Sequence, residues 1–224
     1  MTAFELRIER LGRGLLDGVA LREGEPRTRV DLGVLAFFAD ERPLRGLAAL
    51  VDWRTAGALS SLLRRGFCTG VAHELVLLPG RHDLPIERIV LLGLGPRADL
   101  DPDGARRAAL DMVAMALRLR PRDVLFALPS GGEERELAEA LLAGVVTGLG
   151  GELPAPASAD TAESDAETAI ARAWTSSEPG SSADPGIAGD GDPAELCRWW
   201  VVADERHAGR LRRLLGGPPR AAQP

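Results

Sequence analysis

The sequence feature that most constrains the fold is a nearly continuous apolar run at residues 30–39. The run reads Val-Asp-Leu-Gly-Val-Leu-Ala-Phe-Phe-Ala, so both faces of an extended strand built from it would be largely apolar. Strands of this kind occur where helices cover both faces of a parallel or mixed sheet. The run is far shorter than the roughly 20 apolar residues that a transmembrane helix needs. It therefore predicts a central strand of a layered α/β domain.

Strand and helix patterns alternate along the rest of the chain, which predicts a three-layer α/β domain. The first predicted strand, 4–10, alternates charged and apolar residues as a half-exposed edge strand does. Further strands are predicted at 74–78, 88–92, 124–128 and 198–203. Helices are predicted from Pro43, at 55–65 with Gly66 as its stop, from Pro102 with Asp101 as its cap, at 133–149, and at 204–215 with Asp204 as its cap.

One segment, 152–195, shows neither pattern. It is rich in Ala, Ser, Asp, Gly and Pro, and it holds ten acidic residues and one arginine, whereas the rest of the chain holds 23 acids and 26 arginines. Because the segment has too few large apolar residues to offset its ordering entropy, we expect a long disordered loop. We therefore expect a single domain over 1–216, interrupted by this acidic loop, and a tail over 217–224.

The composition excludes several kinds of chemistry. All 27 basic residues are arginine, and the chain has no lysine, tyrosine or asparagine. A GC-rich genome accounts for such a bias. Whatever its cause, no lysine can act as a general base or form a Schiff base, and no tyrosine can act as an acid. The three histidines lie far apart, without the spacing of a zinc site, so we expect no bound metal.

The cysteines and the N-terminus indicate the compartment. Cys68 and Cys197 could form one disulfide, but two buried thiols fit a cytoplasmic protein better. Residues 1–10 lack the continuous apolar core of a secretory signal. We therefore expect a cytoplasmic protein with no membrane segment.

The first candidate ligand-binding segment follows a predicted strand directly. It consists of Gly93, Leu94, Gly95, Pro96 and Arg97. The segment could form a backbone nest that binds an anion, or simply a tight turn at the strand exit. It does not fit a dinucleotide fingerprint, because the next helix begins several residues too late for its N-terminus to hold a pyrophosphate.

The second candidate segment is Ser130, Gly131 and Gly132, between a predicted strand and a predicted helix. Ligands of open α/β sheets gather at this end of the strands. Ser130 also fits the simpler role of a helix cap. No Gly-x-Ser-x-Gly motif is present, so a serine nucleophile is not predicted.

The order of these motifs resembles the N-terminal domain of the cytosol (leucyl) aminopeptidase family. The matching pieces, in chain order, are 30–34 with Phe37-Phe38, 43–48, 57–63 with Gly66-Phe67, 74–79, 87–95, 103–109 and 199–204. Together they span 4–150 and 196–216. The resemblance implies a macrodomain-like fold, a three-layer mixed sheet flanked by helices.

The resemblance implies a binding role rather than catalysis. In the family, catalysis belongs to a separate C-terminal domain with two metal ions, a lysine and an Asn-Thr-Asp-Ala-Glu-Gly-Arg motif, none of which this sequence carries. We therefore expect no catalytic residue, no metal and no cofactor. In aminopeptidases the N-terminal domain helps the oligomer to assemble and in some members binds DNA, whereas other macrodomain folds bind ADP-ribose.

We accordingly expect a module for protein interaction, assembly or regulation that acts with a protein partner or with itself. The alternative is a macrodomain-like binder of ADP-ribose or another phosphate-bearing nucleotide. DNA binding is disfavoured, because the part of the chain expected to fold is close to neutral and its arginine clusters lack interleaved aromatic residues. No membrane partner and no residual aminopeptidase activity are expected.

Overall fold

The computed structural model describes residues 4–20, 27–130, 135–151 and 197–215. The predicted acidic loop, 152–195, and the predicted tail, 217–224, lie outside the described residues. The single domain over 1–216 therefore stays a prediction.

Six strands form one mixed sheet. They are β1 (Phe4–Arg10), β4 (Val30–Phe37), β5 (Leu75–Pro79), β6 (Ile86–Gly93), β7 (Asp123–Ala127) and β8 (Cys197–Ala203), and their order across the sheet is β1-β8-β7-β4-β6-β5. Only β5 runs antiparallel to its neighbour. A separate pair of two-residue strands, β2 (Val19–Ala20) and β3 (Arg27–Thr28), was not expected from the sequence. The predicted central position of the apolar strand β4 is confirmed.

Helices cover both faces of the sheet, so the predicted three-layer α/β architecture is confirmed. The helices are α1 (Gly46–Arg54), α2 (Ala58–Arg64), α3 (Pro102–Arg118), α4 (Arg135–Gly148) and α5 (Glu205–Leu214). Buried side chains of α3, α4 and α5 form one core with one face of the sheet. Those of α1, α2 and the short 3-10 helix Arg13–Asp17 form a second core with the other face. From Leu32 onward the apolar residues of β4 alternate between the two cores, which explains the continuous apolar run in the sequence.

The last strand, β8, is inserted between β1 and β7. Trp199 and Trp200 on this strand point into opposite cores, and both are at most 1% exposed. At the start of the strand Arg198 makes a two-pronged ion pair with Asp123 of β7, with N–O distances of 2.6 and 2.8 Å. The predicted return of 198–203 to the sheet is therefore confirmed.

The predicted helix ends are confirmed at the positions where a capping residue defines them. The carboxylate of Asp101 accepts a hydrogen bond from the Gly104 N–H, and that of Asp204 accepts one from the His207 N–H, as N-caps do. Gly66, at φ +75°, ends α2 as predicted.

Two predicted helix starts were wrong. The first helix begins at Gly46 rather than at Pro43, because the Glu41 carboxylate accepts a hydrogen bond from the Arg45 N–H at 2.9 Å and Arg45 is extended there. The second begins at Ala58 rather than near residue 55, because Gly57 makes a left-handed turn at φ +81° between α1 and α2.

Candidate functional site at the carboxyl edge of the sheet

The carboxyl ends of β4 and β7 form the topological switch point of the sheet. The two strands are neighbours, but the chain leaves β4 towards β5 and β6 and leaves β7 towards β8, on opposite sides. Adjacent strands with diverging connections leave a crevice between their following loops, and this is where open α/β sheets bind ligands.

Ser130 lies in this crevice, after β7, and its side chain is buried. It packs directly against Gly46 at the start of α1. A Cβ atom added to Gly46 would lie 2.4 Å from the Ser130 Oγ, and Gly46 has φ +59°, so both space and backbone conformation require glycine there. The structure therefore brings Ser130 to the start of α1, where the loop after β4 (residues 38–45) ends. Gly131 and Gly132 lie outside the described residues.

The other predicted segment, Gly93–Arg97, borders the same loop from the β6 side. Its backbone N–H groups donate within the protein: Gly93 to Glu74 O, Leu94 to Phe37 O, Gly95 to Gly70 O, and Arg97 to Asp40 Oδ1, at 2.8–3.1 Å. Pro96 has no N–H group. An anion-binding nest here would need some of these bonds to break, so the geometry favours the alternative of a tight strand-exit turn.

The side chain of Arg97 organises the β6 side of the crevice. Its guanidinium lies 4.0 Å from the centre of the Phe38 ring, in cation–π contact, and its Nη2 lies 3.3 Å from Glu41 Oε2. Glu41 is 6% exposed, and burial raises the pKa of its carboxyl above the usual value, although the Arg45 N–H bond and the Arg97 charge oppose this. No role was predicted for Glu41 from the sequence, although the acids at 40 and 41, shortly after the buried central strand, were an available signal.

The described residues contain neither a cluster of metal ligands nor an activated thiol. Among the described residues no group of three or more His, Cys, Asp or Glu side chains could hold a metal ion. Cys68 and Cys197 are buried free thiols, as predicted. Burial, together with the nearby Glu74 carboxylate, raises the pKa of Cys68 to about 12, so this thiol is not an activated nucleophile.

A second surface of interest is the edge of the sheet formed by β5. Leu75 and Leu77 of this strand are 37% and 53% exposed, and we call this pair the apolar edge. Both side chains lie on the sheet face that α3 covers, because they stand opposite Leu92 and Val90 of β6 in the ladder. The strand carries no charged residue.

The fold is an α/β fold similar to that of macrodomains. A macrodomain of Trypanosoma brucei, solved in complex with ADP, is similar to this chain with a TM-score of 0.55 at 16% identity, over 95% of this chain and 69% of that one. A mutant of tomato leucine aminopeptidase is similar with a TM-score of 0.50 at 16% identity, over 98% of this chain and 34% of that one. At these identities the likeness concerns the fold.

The sequence then gives the family. Residues 34–150, more than half of the chain, match the N-terminal domain of the cytosol aminopeptidase family, and the chain belongs to that family. A probable cytosol aminopeptidase of Pseudomonas syringae pv. tomato is 26% identical over 110 residues, covering 49% of this chain and 22% of the relative. One of Stutzerimonas stutzeri is 35% identical over 85 residues, covering 38% and 17%. The chain thus spans about a fifth of the length of these curated relatives.

These comparisons confirm the resemblance and the macrodomain-like fold that the motifs predicted. The family match is to the N-terminal domain. Within the described part of the chain, no helix is both long enough and apolar enough to cross a membrane.

Proposed function

We propose that this chain is a non-catalytic module that binds a protein partner, and that it does so through the apolar edge of β5. The single observation that carries the proposal is the exposure of Leu75 and Leu77 on a sheet edge without charged residues. The cytosol aminopeptidase relatives support a cytoplasmic location for such a module. The match to an N-terminal domain supports a role outside catalysis.

The opposite edge of the sheet, formed by β1, differs from β5 in that it carries charged side chains. The edge strand β1 carries Glu5, Arg7 and Glu9, and Arg7 pairs with Glu5 on the strand itself. Charged side chains on an edge strand hinder pairing with other chains, and natural sheets use them for that purpose. Because β5 has no such charges and keeps two leucines exposed, charge protects one edge of the sheet, whereas the described residues leave the other edge uncovered.

Substituting Leu77 with arginine tests the proposal. The full chain, Leu77→Arg and Trp53→Arg are used as baits in the native lysate, and each captured protein is then purified and titrated against all three by calorimetry. Leu77→Arg should weaken binding at least about 30-fold, because a desolvated interface leucine contributes around 2 kcal/mol. Trp53→Arg replaces an equally apolar residue, 67% exposed on α1 at the other face of the sheet, and should bind as the unsubstituted chain does.

The proposal fails if the chain neither captures a partner nor associates with itself, or if Leu77→Arg binds every captured protein unchanged. Circular dichroism of the variants separates lost binding from lost folding. Since Leu77 is largely exposed, the substitution should leave the fold intact.

A second candidate function, binding of ADP-ribose or another phosphate-bearing nucleotide, is favoured by the position of Ser130 at the switch point. The macrodomain similar to this chain was solved with ADP, and nucleotide binding at the carboxyl edge of the sheet is consistent with the crevice between β4 and β7. In this reading Gly93–Arg97 and Ser130–Gly132 would line the phosphate pocket. The first of these segments would have to release backbone N–H groups that now donate within the protein.

Calorimetry with ADP-ribose tests this candidate. If the nucleotide binds beside Ser130, Ser130→Ala should weaken binding about fivefold to tenfold, because one net hydrogen bond contributes around 1 kcal/mol. Ser61→Ala, on α2, is the matched control and should leave the affinity unchanged. An absence of heat at millimolar ADP-ribose removes the candidate.

A further inference from the structure

We infer that the partner of the apolar edge is a second copy of this chain, whose β5 pairs with β5 antiparallel about a twofold axis. The result would be one continuous twelve-stranded sheet built from two six-stranded ones. The inference rests on the proposed function, since it names the occupant of the same surface.

The backbone of β5 is prepared for such pairing. In an antiparallel ladder, alternate residues direct both their N–H and C=O groups to the partner strand, and the residues between direct them outward. The bonds from Gly93 N to Glu74 O and from Gly80 N to Glu87 O mark the even-numbered residues as those bonded to β6. Leu75 and Leu77 therefore direct their N–H and C=O groups away from the sheet. Within the described ranges no hydrogen bond reaches these outward groups.

The exposed side chains belong to the same two residues. A twofold axis perpendicular to the sheet keeps each face on its own side, so Leu75 and Leu77 of both copies would meet on the face that α3 covers. Four leucine side chains would then form one continuous apolar row across the new junction. Pairing would thus give the outward backbone groups hydrogen-bond partners and bury the exposed leucines at the same time.

The charges at the two ends of β5 favour a second copy over an unrelated strand. At the start of the strand lie two carboxylates, that of Glu74 directly before Leu75 and that of Asp111 on α3, whose Oδ2 lies 3.0 Å from His73 Nδ1. At the other end Arg88 stands opposite Pro79 and its Nη1 donates to Leu119 O at 3.3 Å, next to the exposed Arg118. Antiparallel pairing brings the acidic end of one copy to the basic end of the other. A twofold axis supplies this complementarity twice, without further adaptation.

The same geometry limits the assembly to two copies. Pairing of β5 with β5 uses up the open edge of both copies, and the free edges of the joined sheet are the two charged β1 strands. Pro79 has no N–H group and ends the pairing at one side of the junction. The assembly therefore closes as a dimer rather than growing as a fibre.

The test combines the molar mass of the chain in solution with the protection of β5 amides from hydrogen exchange. Analytical ultracentrifugation of the full chain over a wide concentration range should show a monomer–dimer equilibrium. Leu77→Arg should weaken it at least about 100-fold, more than it weakens binding of a different partner, because the dimer contains the substitution twice. Trp53→Arg should dimerise as the unsubstituted chain does. Hydrogen exchange of the Leu75 and Leu77 amides should slow as the concentration rises, since these groups become bonded only in the dimer.

A strict monomer at all concentrations overturns the inference, as does a dimer that Leu77→Arg leaves intact or whose β5 amides stay unprotected. If the chain is a monomer but binds a different purified protein, and Leu77→Arg weakens that binding, the dimer inference is wrong and the proposed function stands. A chain that binds neither itself nor any other protein overturns both.

Discussion

Trp200→Ala should lower the free energy of unfolding by about 3 kcal/mol, the lower end of the 3–5 kcal/mol usual for such truncations. The indole is 1% exposed and packs in the core between the sheet and α1, so its removal leaves a cavity that the surrounding strands cannot fill. The lower end is expected because its Nε1–H is buried and has no hydrogen-bond partner among the described residues. The substitution removes this unsatisfied donor together with the favourable packing.

Urea unfolding followed by circular dichroism measures this effect, with Trp53→Ala as the matched control. Trp53 is 67% exposed, so its truncation should change the unfolding free energy by less than about 0.5 kcal/mol. Equal losses at the two positions would contradict the placement of β8 between β1 and β7, with Trp200 in the core.

Gly144→Ala should destabilise the protein by about 1–3 kcal/mol, although alanine is the better helix former. Gly144 lies on the buried face of α4, where a Cβ atom would meet the Arg106 carbonyl oxygen at 2.5 Å and the Ala109 methyl at 2.6 Å. Backbone of α3 cannot yield as a flexible side chain would, so the two helices must move apart. The loss of their close packing outweighs the gain in helix propensity.

Gly209→Ala provides the control with the opposite sign. Gly209 is exposed in α5 and a Cβ atom there would meet nothing within 4 Å. Alanine should therefore stabilise the protein by about 0.5–1 kcal/mol, because it restricts the unfolded chain. Thermal and urea unfolding of both variants measure the pair, and a stabilising Gly144→Ala would contradict the close contact between α3 and α4.

The strands and most helices could be predicted because their signals are local. The apolar run of β4, the alternation of β1 and the caps Asp101 and Asp204 depend on neighbouring residues only. The start of α1 could not be predicted, because it depends on the carboxylate of Glu41 and on the contact between Gly46 and a serine in another loop. Local sequence carries no record of such a contact.

Some features of the candidate site could likewise be predicted from local sequence, and others could not. The position of Ser130 at the carboxyl end of a strand was predictable, since it follows from the strand alone. The hydrogen bonds that the Gly93–Arg97 N–H groups make within the protein could not be predicted, because their acceptors come from two other parts of the chain, 37–40 and 70–74. The exposure of β5 could not be predicted either. Its sequence, Leu-Val-Leu-Leu-Pro, is typical of a buried strand, and only the order of strands in the sheet shows that it lies at an edge.

The insertion of β8 between β1 and β7 has a consequence for the order of events during synthesis. Within the described residues β1 has β8 as its one neighbour in the sheet, with Phe4 opposite Cys197, so β1 is synthesised long before the strand with which it pairs. Closing so long a loop costs entropy before any contact is gained, and folding rates fall as such distant contacts accumulate. In the nascent chain β1 must therefore stay unpaired until β8 has been made, and its charged residues suit a strand that is exposed to solvent during that time.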